Sequence, residues 1–332
     1  MKSVIVGFGS IGKRHLENLI NLGEKDIVLL RTYHSTLKDS GYDTVPVVTS
    51  MDDALALKPD AVIIANPTKL HMQTAIPVAE AGCSILMEKP ISDSFSGIDT
   101  LKRALEIGGG RFLTGFHFRF NPGLRQAQKW LQENKIGKVV SAYVCWGEYL
   151  PDWHPWEDYR QSYAARADLG GGVVNTLCHP LDYLRWLLGE GIALNAAISN
   201  QGLSLDVEDT ADIIAQYESG AQAHIHLDYM QRPGEHTLKI IGTEGMITWD
   251  NATTIARCYL AALNTWEEVQ PPTGFVRNTM FMDEMRHFIK VARGETDPIC
   301  TLDDGIAALE MTQAILQSAR TGCSAKLRKS PN

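Results

Sequence analysis

Three absences narrow the sequence first. It holds no apolar run approaching the roughly 20 residues of a bilayer-spanning helix. It holds no C-x-x-C pair, and its six cysteines (Cys83, Cys145, Cys178, Cys258, Cys300 and Cys323) are scattered along the chain. That spacing offers neither a disulfide framework nor a structural zinc site and suits reduced thiols, with Cys178 read as a small buried apolar side chain. Positive charge is short as well: 31 Lys and Arg face 39 Asp and Glu, a formal net charge of −8, with no basic tail and no block of like charge. The chain therefore lacks the electrostatic footprint of a nucleic-acid or anionic-membrane partner. Met1-Lys2-Ser3 runs straight into an apolar stretch and leaves no room for a signal peptide, so a cytoplasmic protein is expected.

What is present is ordinary globular composition, 332 residues with 44% hydrophobic and 21% charged, enough for two domains with their own cores. Short apolar runs at Ser3–Val6, Ile27–Leu30, Val45–Val48, Ala61–Ala65 and Ser84–Met87 alternate with helical patterns at Ile11–Leu22 and Thr68–Ala81. Pro77 is expected to kink the second of these helices. Ser50 is placed to cap a further helix, with Asp53 three residues on. Alternating strands and helices predict a parallel Rossmann sheet, the first half of an α/β protein. After about Gly115 the pattern changes. Pro122–Glu133 reads as a helix and Lys138–Tyr149 as a strand. Ala221–Tyr229 alternates with period two, Ala223, Ile225, Leu227 and Tyr229 on one face and His224, His226 and Asp228 on the other. Turn signals at Ser219-Gly220 and Gly242-Thr243-Glu244-Gly245 predict hairpins. The second half is thus expected to be an α+β domain with a large open antiparallel sheet. Two helices, Thr279–Arg293 and Asp303–Arg320 with Thr301 as cap, close the chain.

Gly7-Phe8-Gly9-Ser10-Ile11-Gly12 is a G-x-G-x-x-G run, and it follows the first strand and opens the first helix. The first glycine permits a tight turn, the second lets a pyrophosphate approach the backbone, and the third lets helix pack on strand. An acid closing the second strand would bind the ribose 2′-hydroxyl of NAD(H). This chain has Leu30-Arg31-Thr32 there instead. Arg31 can pair with a 2′-phosphate and stack on adenine, with Thr32 and Ser35 adding hydrogen bonds. NADP(H) is therefore expected ahead of NAD(H), which stays the alternative; the plainer reading is a surface arginine at a strand end.

Two further clusters carry candidate chemistry. Glu88-Lys89-Pro90 follows the Ser84–Met87 strand, at the sheet edge where parallel sheets bind ligands. Lys89 there can hold a substrate hydroxyl and lower its pKa, though a surface ion pair is the plain alternative. In Gly170–Asp182, helical spacing puts Asn175, His179 and Asp182 on one face, and the triple glycine admits close approach of backbone or ligand. Pro180 is expected to kink this helix near the histidine. His224 and His226 share a strand face but bring no third ligand, so no metal is assigned and a solvent-facing or interface sheet is preferred.

The order of Gly7–Gly12, Asn66-Pro67-Thr68 with His71, Glu88-Lys89-Pro90, Gly115–Pro122 and Gly170–Asp182 resembles the glucose–fructose oxidoreductase / inositol dehydrogenase / MocA family over nearly the whole chain. The resemblance implies a Rossmann domain, here 1–119, and a substrate-binding and oligomerisation domain, 120–332, whose last helices return to the first. It implies reversible oxidation of a sugar, cyclitol or related hydroxyl, and a homodimer or homotetramer formed through the C-terminal sheet. Carried over, Lys89 polarises the reacting oxygen, and His179 is the general acid/base. Phe8, Ser10, Ile11, Asn66, Pro67, Thr68, His71 and Glu88 fall on the cofactor side, His117 on the substrate side. The chain departs from many members in carrying Asn175 where they have Asp. Asn orients a hydroxyl but cannot titrate, which leaves His179 as the proton carrier. Tyr149–Arg160 is aromatic-rich and irregular. Trp153 and Trp156 can stack on a sugar face, and Arg119, Arg160 and Arg166 can bind a carboxylate or phosphate. The loop is similar to that of family members from bacterial surface-polysaccharide and amino-sugar pathways, and that resemblance implies a nucleotide-linked or acidic sugar. A lid or subunit contact explains the same tryptophans. Two rival functions remain on this evidence, a non-catalytic dinucleotide- and sugar-binding sensor and an NAD-dependent glycoside hydrolase.

Overall fold

Aliphatic and β-branched runs become strands where both of their faces are covered. In the computed structural model, which describes residues 1–32, 42, 44–155 and 157–327, six such runs form one sheet: β1 (Ser3–Val6), β2 (Ile27–Leu30), β3 (Val47–Val48), β4 (Ala61–Ile64), β5 (Ser84–Glu88) and β6 (Phe112–Gly115). All but β3 are buried along their whole length. Every pairing is parallel, and the order is β3-β2-β1-β4-β5-β6. This is the doubly wound order whose ligand crevice lies where the winding reverses, between β1 and β4. The helices are α1 (Ser10–Asn21), α2 (Met51–Ala56), α3 (His71–Glu80) and α4 (Ile98–Gly108). Asp53 N–H donates to Ser50 Oγ at 3.1 Å and starts α2 as expected. α3 runs through Pro77. The core joins Val4, Val6, Val62, Ile64, Ile85 and Met87 to Ala75 and Val78 of α3 and Leu101 and Ala104 of α4. Neither α4 nor β6 is foreshadowed by the sequence pattern.

The remaining helices are α5 (Pro122–Gln132), α6 (Val173–Thr176), α7 (His179–Leu188), α8 (Arg277–Ala292) and α9 (Leu302–Thr321). Asp304 N–H donates to Thr301 Oγ1 at 3.2 Å and Thr301 N–H to the Asp304 carboxylate at 2.7 Å, a reciprocal cap on α9. The chain divides into two compact units: residues 1–117, 168–170 and 277–309 form the first, and 118–167, 171–276 and the chain from 310 onward form the second. α8 therefore belongs to the first unit, where it packs on α1, β5 and β6.

The second unit is built on a nine-stranded sheet: β7 (Val139–Gly147), β8 (Gly191–Ser199), β9 (Thr210–Tyr217), β10 (Gln222–Asp228), β11 (Glu235–Gly242), β12 (Gly245–Asp250), β13 (Ala256–Leu260), β14 (Thr265–Val269) and β15 (Ala325–Lys326), ordered β14-β13-β12-β11-β7-β10-β9-β8-β15. The sheet is mixed rather than wholly antiparallel. β10 runs parallel to β7, Ser141 opposite Gln222 and Gly147 opposite Asp228. Between these two strands the chain passes through α6, α7, β8 and β9, and a connection of that length permits the parallel pairing that a hairpin forbids. Alternation holds as read: Ala223, Ile225 and Leu227 of β10 are buried while His224 and His226 are not. α5 covers β12 and β13, and α6 covers β9 and β10. On the other face, which carries His224 and His226, Tyr143 and Ile214 are exposed. A broad concavity of about 990 Å³ runs over the strands that carry Tyr143, Ile214, His224 and Lys239.

Candidate active site

The cofactor end is set by three glycines with three different surroundings. Gly7 turns the chain off β1 at φ +90°, and a Cβ there would come within 2.8 Å of the Ala65 and Asn66 backbone, so β4 passes directly behind it. A Cβ on Gly12 would sit 2.1 Å from the Gly7 carbonyl oxygen, the contact that seats α1 on the strand. Gly9 has nothing within 4 Å of its Cβ position. Gly9 also caps α1 with no side-chain hydrogen bond, and the first turn carries no acid. The leading N–H groups of α1, Ser10 and Ile11 among them, thus face open space with the positive end of the helix dipole behind them. A pyrophosphate fits that space and that charge.

Beyond it, the Arg31 guanidinium lies 4.7 Å from the centre of the Phe8 ring, both residues being 9% exposed. Thr32 is exposed, and Ser35 lies outside the described residues. On the β4 side, Asn66 Nδ2 donates to Thr74 Oγ1 at 2.9 Å, and Pro67 and the buried Thr68 lead into a 3₁₀ turn. The His71 ring bridges two turns, 2.9 Å from the Asn66 carbonyl and 2.9 Å from the Pro90 carbonyl. Burial pushes this imidazole below its ordinary value despite both carbonyls. The ring sits between the end of β4 and the end of β5, and in its neutral form its single N–H donates to one of the two carbonyls.

That second end carries Glu88 and Lys89. Glu88 is buried, with His15 Nε2 2.7 Å from its Oε1; Lys89 follows at the cis Lys89–Pro90 bond. His117 is stacked on Phe281 at 4.0 Å, and the Arg14 guanidinium lies 4.5 Å from the same ring. Burial first, then the charges of Arg277, Lys89, Arg14 and His15, hold His117 well below the usual histidine range. His117 stays uncharged and cannot act as an imidazolium. Arg14, His15, Arg277, Phe281 and Glu284 are absent from the sequence reading. One signal was available: in α8, Glu284 falls on the apolar stripe of Phe281, Met285 and Phe288, and Arg277, Phe281 and Glu284 recur at i, i+4 and i+7.

The Gly170–Asp182 segment, in the second unit from Gly171 on, is two helices and not one. α6 ends at Thr176, Leu177 and Cys178 break the run, and α7 begins at His179 with Pro180 in its first turn, where proline is tolerated. Asn175, His179 and Asp182 therefore do not share one continuous helix face. The triple glycine serves protein contacts. A Cβ on Gly171 would lie 2.3 Å from the Tyr163 carbonyl oxygen, and one on Gly172, at φ +105°, 2.3 Å from the Glu208 carboxylate. Glu208 seats α6: Val174 N–H donates to its side chain at 3.1 Å and Val173 N–H to its carbonyl at 2.9 Å. Burial pushes the Glu208 carboxyl up. Asn175 Nδ2 reaches the Gly171 carbonyl at 3.4 Å. His179 is 1% exposed, edge-on to Phe118 at 4.8 Å and tilted against Trp146 at 5.7 Å. Tyr183 OH meets His236 Nε2 at 3.1 Å beneath this aromatic wall.

Arg119 differs from the expectation of a substrate ligand. Its Nε and Nη2 donate to the two Asp182 oxygens at 2.9 and 2.8 Å, with both side chains buried. A bidentate pair of this kind ties the 3₁₀ turn of residues 117–120 to the first turn of α7 and holds the helix that starts at His179. Trp153 is half-buried, edge-on to Tyr229 at 5.7 Å. Arg160 is exposed, 3.5 Å from Asp158, and Arg166 is half-buried; Trp156 lies outside the described residues. On the open sheet face, His226 sits between Asp212 at 2.7 Å and Asp228 at 3.1 Å, which raise it to about 9 against the opposing effect of burial. Among the described residues no group of three or more His, Cys, Asp or Glu is arranged to hold a metal, and no helix is long and apolar enough to cross a membrane.

Known proteins place this geometry. Residues 1–116 match the profile described as an oxidoreductase family with an NAD-binding Rossmann fold, and residues 124–248 match the GFO/IDH/MocA C-terminal domain. Over 273 residues the chain is 26% identical to 1,5-anhydro-D-fructose reductase of Ensifer adhaerens, covering 81% of this chain and 80% of that one. A structure of levoglucosan dehydrogenase in complex with NADH superposes with a TM-score of 0.87 at 19% identity, over 99% of this chain and 100% of that one. The WlbA dehydrogenase of Bordetella pertussis, in complex with NADH and UDP-GlcNAcA, gives a TM-score of 0.81 at 21% identity, over 99% of each chain. The glycine turn at the β1/β4 crevice, the Lys89 turn beside it and the mixed sheet that follows are those of a nicotinamide-dependent oxidoreductase, and the chain belongs to the GFO/IDH/MocA family.

Proposed function

We propose that this protein moves a hydride between a nicotinamide dinucleotide and the carbinol or keto carbon of a sugar, cyclitol or sugar derivative, nucleotide-linked and acidic sugars included. The open space at Gly9, in the β1/β4 crevice and on the same sheet edge as Lys89, carries this reading. When bound, the nicotinamide supplies a two-electron acceptor that no side chain can provide. Lys89 holds the reacting oxygen and favours its deprotonated form, and His179 takes or returns the hydroxyl proton. Asn175, fixed through Glu208 and Gly171, orients a substrate hydroxyl by hydrogen bonding and carries no charge. His117, Trp153, Trp156, Arg160 and Arg166 complete the substrate side; Arg119 acts through Asp182 instead.

NADP(H) is the preferred cofactor, because Arg31 and Thr32 stand where an acid would select NAD(H). The NADH in the levoglucosan dehydrogenase and WlbA complexes keeps NAD(H) as the alternative. The exposed Tyr143 and Ile214 support a homodimer or homotetramer through the open sheet face. Free cysteines suit a cytoplasmic site of action.

Reduced-nicotinamide absorbance, followed with free NADPH or NADH and a panel of sugars and sugar nucleotides, tests the reading. Lys89→Ala and His179→Ala should each lower kcat by about 10³ while cofactor Kd stays within about threefold. Loss of cofactor binding in both variants would mean their roles are misassigned. NADPH should bind at least about tenfold tighter than NADH, a preference that Arg31→Ala removes; equal affinities in the wild type would end the NADP(H) assignment.

A further inference from the structure

On α8, which packs against the strand β5 that ends at Glu88, lies a buried acid that the reaction above does not use. Glu284, on α8, has no solvent exposure, and neither of its carboxyl oxygens has a hydrogen-bond partner. α8 packs on α1, β5 and β6. The ionisable groups those elements bring to this end are Arg14 and His15 from α1 and Glu88 from β5, with Lys89 next in the chain; β6 has none. His117 stacks on Phe281 one turn away, and Arg277 lies two turns back on α8. Arg14 and Arg277 act on each other and on His117. The charge that acts on Glu284 is that of another carboxylate, Glu88, and it adds to burial in pushing the Glu284 carboxyl well above its ordinary range.

Two carboxyls that share a dry site cannot both ionise, and the one without hydrogen bonds or a cation is the one that keeps its proton. Glu88 has His15 at 2.7 Å; Glu284 has no such partner. We propose that Glu284 is a positioning residue for Lys89: held as a neutral acid, it leaves a single negative charge in the cluster, on Glu88, so that Glu88 stays fixed on His15 and presents the adjoining lysine in one geometry. A second negative charge at Glu284 would repel the Glu88 carboxylate from its seat and displace Lys89 with it. The lysine's task rests on the dehydrogenase reading above; the neutrality of Glu284 does not.

The test compares Glu284→Gln and Glu284→Ala with the wild-type full-length chain, with and without NADPH or NADH. Melting is followed from pH 5 to 9, and kcat is measured against pH. In the wild type a carboxyl raised by burial keeps its proton after the unfolded chain has lost its own, so stability falls as pH climbs from the ordinary Glu value towards the raised one. Gln cannot titrate. Glu284→Gln should melt within about 2 °C of wild type at pH 5 and increasingly above it as the pH rises. Glu284→Ala should lower kcat about tenfold at unchanged cofactor Kd, and Gln should restore it while moving the alkaline limb of the kcat profile upward. A Gln variant that melts below wild type by a constant margin at every pH overturns the neutral acid. An alkaline limb identical in wild type and Gln overturns the positioning role. If the wild type turns over nothing, the dehydrogenase reading falls and the melting curves still decide the state of Glu284.

Discussion

The chain has two glycine-rich runs at the start of helices, Gly7–Gly12 before α1 and Gly170–Gly172 before α6, and they do different work. In the first, Gly7 and Gly12 meet protein backbone while Gly9 opens onto empty space. In the second, Gly171 and Gly172 meet protein, and the Glu208 carboxylate already occupies the helix start that an anion would need. The spacing of glycines alone does not separate a ligand cradle from a packing device. The atoms that a Cβ would strike do.

Substitutions sharpen that difference. Gly12→Ala should have the largest effect, because the obstacle 2.1 Å away is a carbonyl oxygen of the β1–α1 turn with little room to move. A loss above about 4 kcal/mol, or no folded protein at all, is expected in urea unfolding. Gly172→Ala should cost less, about 2–3 kcal/mol, because its positive φ is strained but the Glu208 side chain that blocks it can shift. The reverse order would mean that α1 does not seat on β1 through Gly12. Glu208→Gln should give the smallest change, visible mainly as a pH dependence. Burial raises the Glu208 carboxyl, so wild-type stability is greatest below the ordinary Glu value and declines as pH rises towards the raised one. Gln retains an acceptor for Val174 N–H without this decline, so the melting difference, variant minus wild type, should grow between pH 4 and 7. A flat difference would show that Glu208 carries its full charge at no cost.

Much of this was legible in the sequence because it is local. The β1–α1 turn, the Ser50 and Thr301 caps, the Gly242–Gly245 hairpin and the two faces of β10 each follow from residues a few positions apart. The Gly7–Gly12 run belongs to the same class. What escaped depends on partners distant in sequence. The parallel pairing of β7 with β10 joins strands on either side of α6 and α7. α4 falls between Gly97 and the Gly108-Gly109-Gly110 run, and β6 follows that run, where turn signals mask a short strand. Arg119 reads as a free cation until Asp182, 63 residues on, is found against it. The break at Leu177–Cys178 was hidden because Pro180 suggests a kink after the histidine, whereas proline in a first turn marks where a helix begins. The Glu284 cluster needed α1, β5 and α8 together, although an acid within an apolar helical stripe was itself a hint.

The most direct test of the cradle at Gly9 is titration calorimetry of NADPH and NADH against the wild type and Gly9→Val. Valine fits the extended backbone at this position and costs the helix about 1 kcal/mol at most as a poorer cap. The wild type should bind one dinucleotide per chain, and the folded variant should lose at least about 100-fold in affinity, because the added methyls occupy the space meant for the pyrophosphate. Undiminished binding by a folded Gly9→Val protein would contradict the account at its root.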